Sequence, residues 1–227
     1  VEDHFARVAT AMTHGVPIVK VGVIHPVESF WLHWGPNDKS GLFREELDKN
    51  FQELTKWLIF GSIDFDFISE SLLPGLCPHA DAPLRVGEMK YDVIVVPGCE
   101  TLRSSTLERL EKFRADGGRV IFLGEAPTLE NAQPSDRGAR LFASSENIPY
   151  QRASLLTALD SERSVCIRDE DGYLSDGLIY QLREDTDSLW LFVAHGVEPY
   201  DCNITNHDDI KITVKGEYSP VMYDTLS

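Results

Sequence analysis

The residue types best able to do chemistry are concentrated in one short stretch, His25-Pro26-Val27-Glu28-Ser29-Phe30-Trp31-Leu32-His33-Trp34. Flat aromatic rings beside a carboxylate and histidines are what stacking on a sugar face and recognition of its hydroxyls require. The same rings suit packing against a neighbouring domain equally well. His25, Glu28, Trp31 and Trp34 are therefore candidate carbohydrate-binding or interdomain residues. Glu70, Glu100 and Glu125 also follow strand-like runs, and with Glu28 they could supply the two carboxylates, about 5–10 Å apart, that glycoside cleavage uses. Acidic residues on loops are more ordinarily just solvated. Cys99 is a second candidate, as the nucleophile of a stand-alone hydrolase, but no histidine motif accompanies it and a buried thiol is the commoner role. Phosphate cradling needs glycines and free amides in the first strand-to-helix turn. Here that turn is His25-Pro26-Val27-Glu28-Ser29, with no glycine, a proline and a repelling carboxylate, so no FMN or NAD is expected. The 7 histidines show neither HExxH nor H-x₃-H spacing, so no metal is expected either.

Positioning such residues falls to a strand–helix–strand unit from Tyr91 to Pro127. Val93-Ile94-Val95-Val96, closed by Pro97-Gly98, is an unbroken apolar run suited to a strand buried on both faces. Leu107, Leu110 and Phe113 keep helical spacing, Ser105 with Glu108 forms a capping box, and Gly117-Gly118 supplies a stop. Val120-Ile121-Phe122-Leu123-Gly124 is the second strand, expected parallel to the first through a right-handed crossover. Around this core the pattern predicts a helix over 2–14 (Phe5, Val8, Ala9 and Met12 on one face) and a strand over 18–24. It predicts a loop over 25–36, a long helix carrying Leu42, Phe43, Leu47, Phe51, Leu54 and Leu58, and a more peripheral strand at 64–68. Leu84 to Lys90 reads as a short extra strand, and 137–146 and 153–160 as short helices. From Ser161 onward strands occur without helices: 165–168, a hairpin of 178–183 with 188–193, then 210–214 and 221–224. The expected fold class is α/β, an open, mostly parallel, flavodoxin-like three-layer sheet over residues 1–155, followed by a smaller antiparallel β unit over 156–227.

Composition narrows the partners. With 37 acidic against 21 basic residues the formal charge is −16, which argues against nucleic acid and anionic membrane surfaces. The 4 cysteines, Cys77, Cys99, Cys166 and Cys202, are widely spaced, and unpaired thiols are expected in a chain too large to need staples. No apolar run approaches the length of a membrane span, and no signal peptide is visible. Val1 stands in mid-helix and Ser227 just after a strand-like run, which reads as a piece of a larger protein.

Three segments together carry a resemblance: Asp3-His4-Phe5-Ala6-Arg7 through Gly15-Val16-Pro17 to His25-Pro26; Tyr91 to Pro97-Gly98 with Thr101-Leu102; and Gly117-Gly118-Arg119-Val120 to Gly124-Glu125-Ala126-Pro127. The layout resembles class I glutamine amidotransferases, and more closely the flavodoxin-like, amidotransferase-like ancillary domain that follows the catalytic barrel of large bacterial glycoside hydrolases. The β-galactosidase trimerisation domain and the α-L-rhamnosidase-like enzymes are examples. Gly216-Glu217-Tyr218 and Tyr223-Asp224-Thr225-Leu226 resemble the start of the β-sandwich that often comes next. In amidotransferases the second strand ends in an elbow bearing cysteine; the matching turn here, Leu123-Gly124-Glu125-Ala126-Pro127, has no Cys, Ser or Thr. The resemblance implies no catalytic residue in this chain, a catalytic barrel of the same parent protein as partner, at times a loop lent to the sugar site, at times a role in homo-oligomers, and a bacterial cytoplasmic or periplasmic setting. A plain protein-interaction module is the remaining alternative.

Overall fold

The computed structural model describes residues 2–198, 209–223 and 225. Cys202, His207, Asp224 and Leu226 lie outside the described residues. The chain forms two compact units interleaved in sequence: Val1–Ile18, Leu58–Asp64 and Arg163–Ser227 in one, Val19–Trp57 and Phe65–Glu162 in the other. Helix α1 (Glu2–Thr13) opens the first.

The larger unit is built on five parallel strands: β1 (Val21–Ile24), β2 (Phe65–Ile68), β3 (Val93–Pro97), β4 (Arg119–Leu123) and β5 (Glu146–Ile148), side by side in the order 2-1-3-4-5. The Tyr91–Pro127 unit forms as the spacing predicts, with β3 and β4 adjacent and co-directional and Val95 opposite Ile121. Every residue of β3 is buried, which fits an apolar run covered on both faces. Ile94, Val96 and Phe122 meet Leu107, Leu110 and Phe113 of α5 (Ser104–Ala115) in one core cluster. Each such fully buried side chain stabilises the fold by about 1.5–3 kcal/mol. α2 (Val27–Leu32), α3 (Asn37–Ile59), α4 (Leu73–Leu76), α6 (Arg137–Ala143) and α7 (Arg152–Ala158) complete this part of the chain.

Several expectations are corrected. The aromatic stretch read as a loop holds helix α2: Pro26 precedes it at a point where no N–H is needed, and its fixed φ leads into the first turn. The capping box of Ser105 and Glu108 does not form, because α5 starts two residues earlier with Arg103 as its uncapped N-cap residue. The free amides there are taken by distant side chains: Glu70 Oε2 accepts from Arg103 N at 2.8 Å, and Asn131 Oδ1 from Ser104 N at 3.0 Å. Leu84 to Lys90 is not one strand but part of a hairpin of Leu84–Val86 with Met89–Tyr91. β5 was not foreseen, since Glu146-Asn147-Ile148 carries a single apolar residue. Arg119 pins it by donating from Nε and Nη2 to Glu146 at 2.9 and 3.1 Å.

In the smaller unit β7 (Leu178–Glu184) and β8 (Leu189–His195) form the expected hairpin, and β6 (Val165–Asp169) pairs antiparallel with β9 (Ile210–Val214). Val16–Pro17 adds to the hairpin edge rather than continuing into β1. Gly15 sits there at φ +62, where a Cβ would collide with the Glu184 carbonyl. Val165, Ile167, Leu178 and Leu182 are its core. The run 221–223 is not a strand.

Candidate functional site

In an open parallel sheet, ligands sit beyond the carboxyl ends of the strands where the order reverses. Here the reversal lies between β1, which delivers His25, and β3, which delivers Pro97-Gly98-Cys99-Glu100. One side chain ties the two ends together. Ser29, on the first turn of α2 and almost wholly buried, accepts from Glu100 N at 3.0 Å and Thr101 N at 3.2 Å through a single hydroxyl oxygen. Four residues on, His33 Nε2 donates to Glu100 Oε2 at 2.6 Å. On the same helix, Glu28 pairs with the guanidinium of Arg103.

Each carboxylate expected at this edge therefore has a defined setting. Glu28 neutralises Arg103, and Glu100 holds His33. Glu70 is 2% exposed and caps the amide of Arg103. Burial pushes its pKa up, against the lowering effect of its hydrogen bond to Arg103 N. Glu125 is exposed on the turn after β4, where Gly124 takes φ +98. An acid and a base free on either side of a sugar ring are not what this arrangement presents.

Cys99 is buried, and burial first, then the nearby Glu70 charge, raises its thiol pKa far above the ordinary value. A nucleophilic thiol needs the opposite surroundings, an electropositive and accessible one. Cys77 is also buried with a raised pKa, and Cys77, Cys99 and Cys166 are free thiols. Among the described residues no group of three or more His, Cys, Asp or Glu side chains could hold a metal ion, and no helix is long and apolar enough to cross a membrane.

Two surfaces remain at this edge. The first is a crevice of about 220 Å³ lined by His25, Asp48, Asn50, Phe51, Gly98 and Tyr150, among others. The His25 ring lies 5.0 Å from Phe51 and 5.9 Å from Phe67, and burial lowers its pKa, which favours the neutral ring. Tyr150 Oη donates to the Asn50 carbonyl at 2.7 Å, fixing α3 against the turn that precedes α7. The second is the aromatic surface of α2 and the first turns of α3. Trp31 is 59% exposed, Trp34 71% and Leu42 85%, with Phe43 also open. His33 packs 4.1 Å from Phe43, and the Arg44 guanidinium lies 5.0 Å from the Trp34 ring centroid.

The four residues singled out from the sequence are thus divided. His25 lines the crevice, Glu28 is engaged with Arg103, and Trp31 and Trp34 face solvent. Ser29, Arg103, Asp48, Asn50 and Tyr150 escaped sequence reasoning. For Ser29 a signal existed: it is the one hydroxyl in an otherwise bulky stretch.

The fold and site together define an α/β unit with a parallel sheet whose carboxyl edge is cross-tied. No family model matches the chain, and no curated protein matches it. Among solved structures the chain is similar to the cold-adapted β-galactosidase from Rahnella sp. R3, at 17% identity and a TM-score of 0.34. The match covers 79% of this chain and 24% of that one, so the chain spans about a quarter of that protein's length.

Proposed function

We propose that this chain is a non-catalytic ancillary domain of a carbohydrate-active glycoside hydrolase, packed through the aromatic surface of α2 and the start of α3 onto the catalytic barrel of its parent protein. The observation that carries the reading is that surface: Trp31 on α2, Trp34 on the link between the helices and Leu42 on α3 all stand exposed. Exposed apolar patches of this kind mark interaction surfaces. Each tryptophan can bury some 150–250 Å², so two of them with Leu42 and Phe43 fill a large part of an interdomain interface of roughly 600–1,500 Å².

The strand order 2-1-3-4-5 is that of flavodoxin-like doubly wound sheets, which supports the flavodoxin-like assignment. A crosslinked carboxyl edge also suits a domain that presents a rigid surface rather than one that turns over substrate. Ser29 and the Glu28–Arg103 pair hold α2 in place from beneath. Trp31 and Trp34 are then free to reach a partner or the rim of its sugar site.

Hydrogen–deuterium exchange tests this directly. In the parent protein the amides of residues 27–43 exchange at least about tenfold more slowly than in the isolated chain, as burial under a partner requires. Equal exchange in both settings refutes docking through this surface.

A further inference from the structure

We infer that the crevice at the strand-order reversal is a self-contained binding site for a single neutral, polyhydroxylated six-membered ring, a pyranose. It adjoins the exposed Trp31 and Trp34 surface through Phe30, which lines the crevice and lies 6.2 Å from the Trp34 ring. The choice of a sugar rests on the proposed carbohydrate setting; the crevice and its exclusions stand without it.

Three observations fix the ligand class. The first is position: His25 follows β1 and Gly98 follows β3, so the crevice opens where doubly wound sheets place ligands. The second is charge. No lysine or arginine is among the described residues lining it, and Asp48 brings the one carboxylate. An anionic ligand such as a phosphate ester would meet repulsion and no countercharge. The third is the pairing of flat and polar groups. Phe51 and Tyr150 supply ring surfaces for the apolar C–H face of a sugar, while Asp48, Asn50 and neutral His25 supply acceptors and donors for its hydroxyls.

Size sets the limit. About 220 Å³ is the space of roughly seven water molecules, below the roughly 300 Å³ at which drug-sized pockets begin. One ring fits and a disaccharide must project outward. Gln52 Nε2 already donates to Asp48 Oδ2 at 2.7 Å, which orients the carboxylate and leaves its other oxygen to accept from a sugar hydroxyl. Tyr150 is held by the Asn50 carbonyl at 2.7 Å, so this wall is formed before any ligand arrives.

The test is an amide NMR titration of the 227-residue chain with methyl β-D-galactopyranoside and methyl β-D-glucopyranoside, with tetramethylammonium and inorganic phosphate as cationic and anionic probes. Expected is saturable movement of the Asn50, Gly98 and Tyr150 amides with one of the glycosides, at a Kd on the order of 1–10 mM. Neither ionic probe moves those amides. Asp48→Ala removes a charged acceptor at an exposed position and weakens binding about tenfold or more. Gly98→Ala places a methyl 3.5 Å from the Leu123 carbonyl and 3.7 Å from the Tyr150 ring, ordinary contact distances. It narrows the crevice without disturbing the fold and weakens binding as well. Trp31→Ala leaves binding unchanged. The inference is overturned by no saturable shift up to about 100 mM glycoside, by saturation with tetramethylammonium or phosphate alone, or by glycoside shifts indifferent to Asp48→Ala. None of those results touches the exchange experiment on residues 27–43, so docking and sugar binding stand or fall separately.

Discussion

Replacing Ser29 with alanine removes one hydroxyl and three hydrogen bonds, two that it accepts and one that it donates to the Thr101 carbonyl at 3.4 Å. The hydroxyl oxygen accepts from Glu100 N and Thr101 N, at 3.0 and 3.2 Å, in a site where Ser29 is 1% and Thr101 3% exposed. A buried N–H left without a partner costs about 1–3 kcal/mol. Thr101 bears that cost in full; Glu100, at the half-open edge, recovers part of its bonding from water. The expected loss is about 2–4 kcal/mol, which for a chain of this length lowers Tm by roughly 5–12 °C. Calorimetry or thermal circular dichroism measures it, with Ser71→Ala as control. Ser71 is exposed and its hydroxyl bonds to that of Ser69 at 3.0 Å, so its loss stays within about 0.5 kcal/mol. Hydrogen exchange of α2 in Ser29→Ala rises at the same time, because the tie to the β3 turn is gone. A Tm within about 2 °C of the parent chain, by the same conversion, would show that this serine does not hold the edge together.

Glu70→Gln keeps an acceptor for the Arg103 amide and removes a charge that burial disfavours. The folded pKa of Glu70 is raised, so the stability its protonated form contributes is present below the unfolded value and is lost as pH rises through the folded one. The stability of Glu70→Gln relative to the parent chain therefore increases from about pH 4 toward pH 7 in urea titrations, and a decrease contradicts the assignment. His25 has a lowered folded pKa, chiefly from burial. NMR finds it titrating below the ordinary histidine value, with its contribution to stability lost as pH falls; titration above that value refutes the neutral ring. Iodoacetamide near neutral pH alkylates Cys99 at least about tenfold more slowly than half-exposed Cys166, and equal rates return Cys99 to candidacy as a nucleophile.

The core was legible because β3 and β4 are apolar on both faces and α5 keeps a 3.6-residue period: Leu107, Leu110 and Phe113 could only face a sheet. The helical residues of α2 were not, because a proline followed by a crowd of aromatics has no period to read over 6 residues. β5 was missed for the same want of pattern, its place set by the Arg119–Glu146 pair. The ends of α5 show the limit of local signals. A capping box was written in Ser105 and Glu108, yet Glu70 and Asn131, each more than twenty residues away, satisfy the amides instead. At the site, residue types were visible and their partnerships were not. Glu28 reads as a free carboxylate until Arg103 arrives from 75 positions along the chain. Asp48, Asn50 and Tyr150 come together across α3 and the turn before α7, a distance no motif spans.

The central claim is that Glu28, Glu70 and Glu100, at the carboxyl edge of the sheet, are already engaged, and that the β4 turn has no attacking atom. Hydrolysis of aryl β-galactosides and β-glucosides by the purified chain tests it most directly. The account predicts no release above buffer across about pH 5–8, where folded proteins are ordinarily most stable. Turnover by the chain that disappears in Glu28→Gln would contradict it.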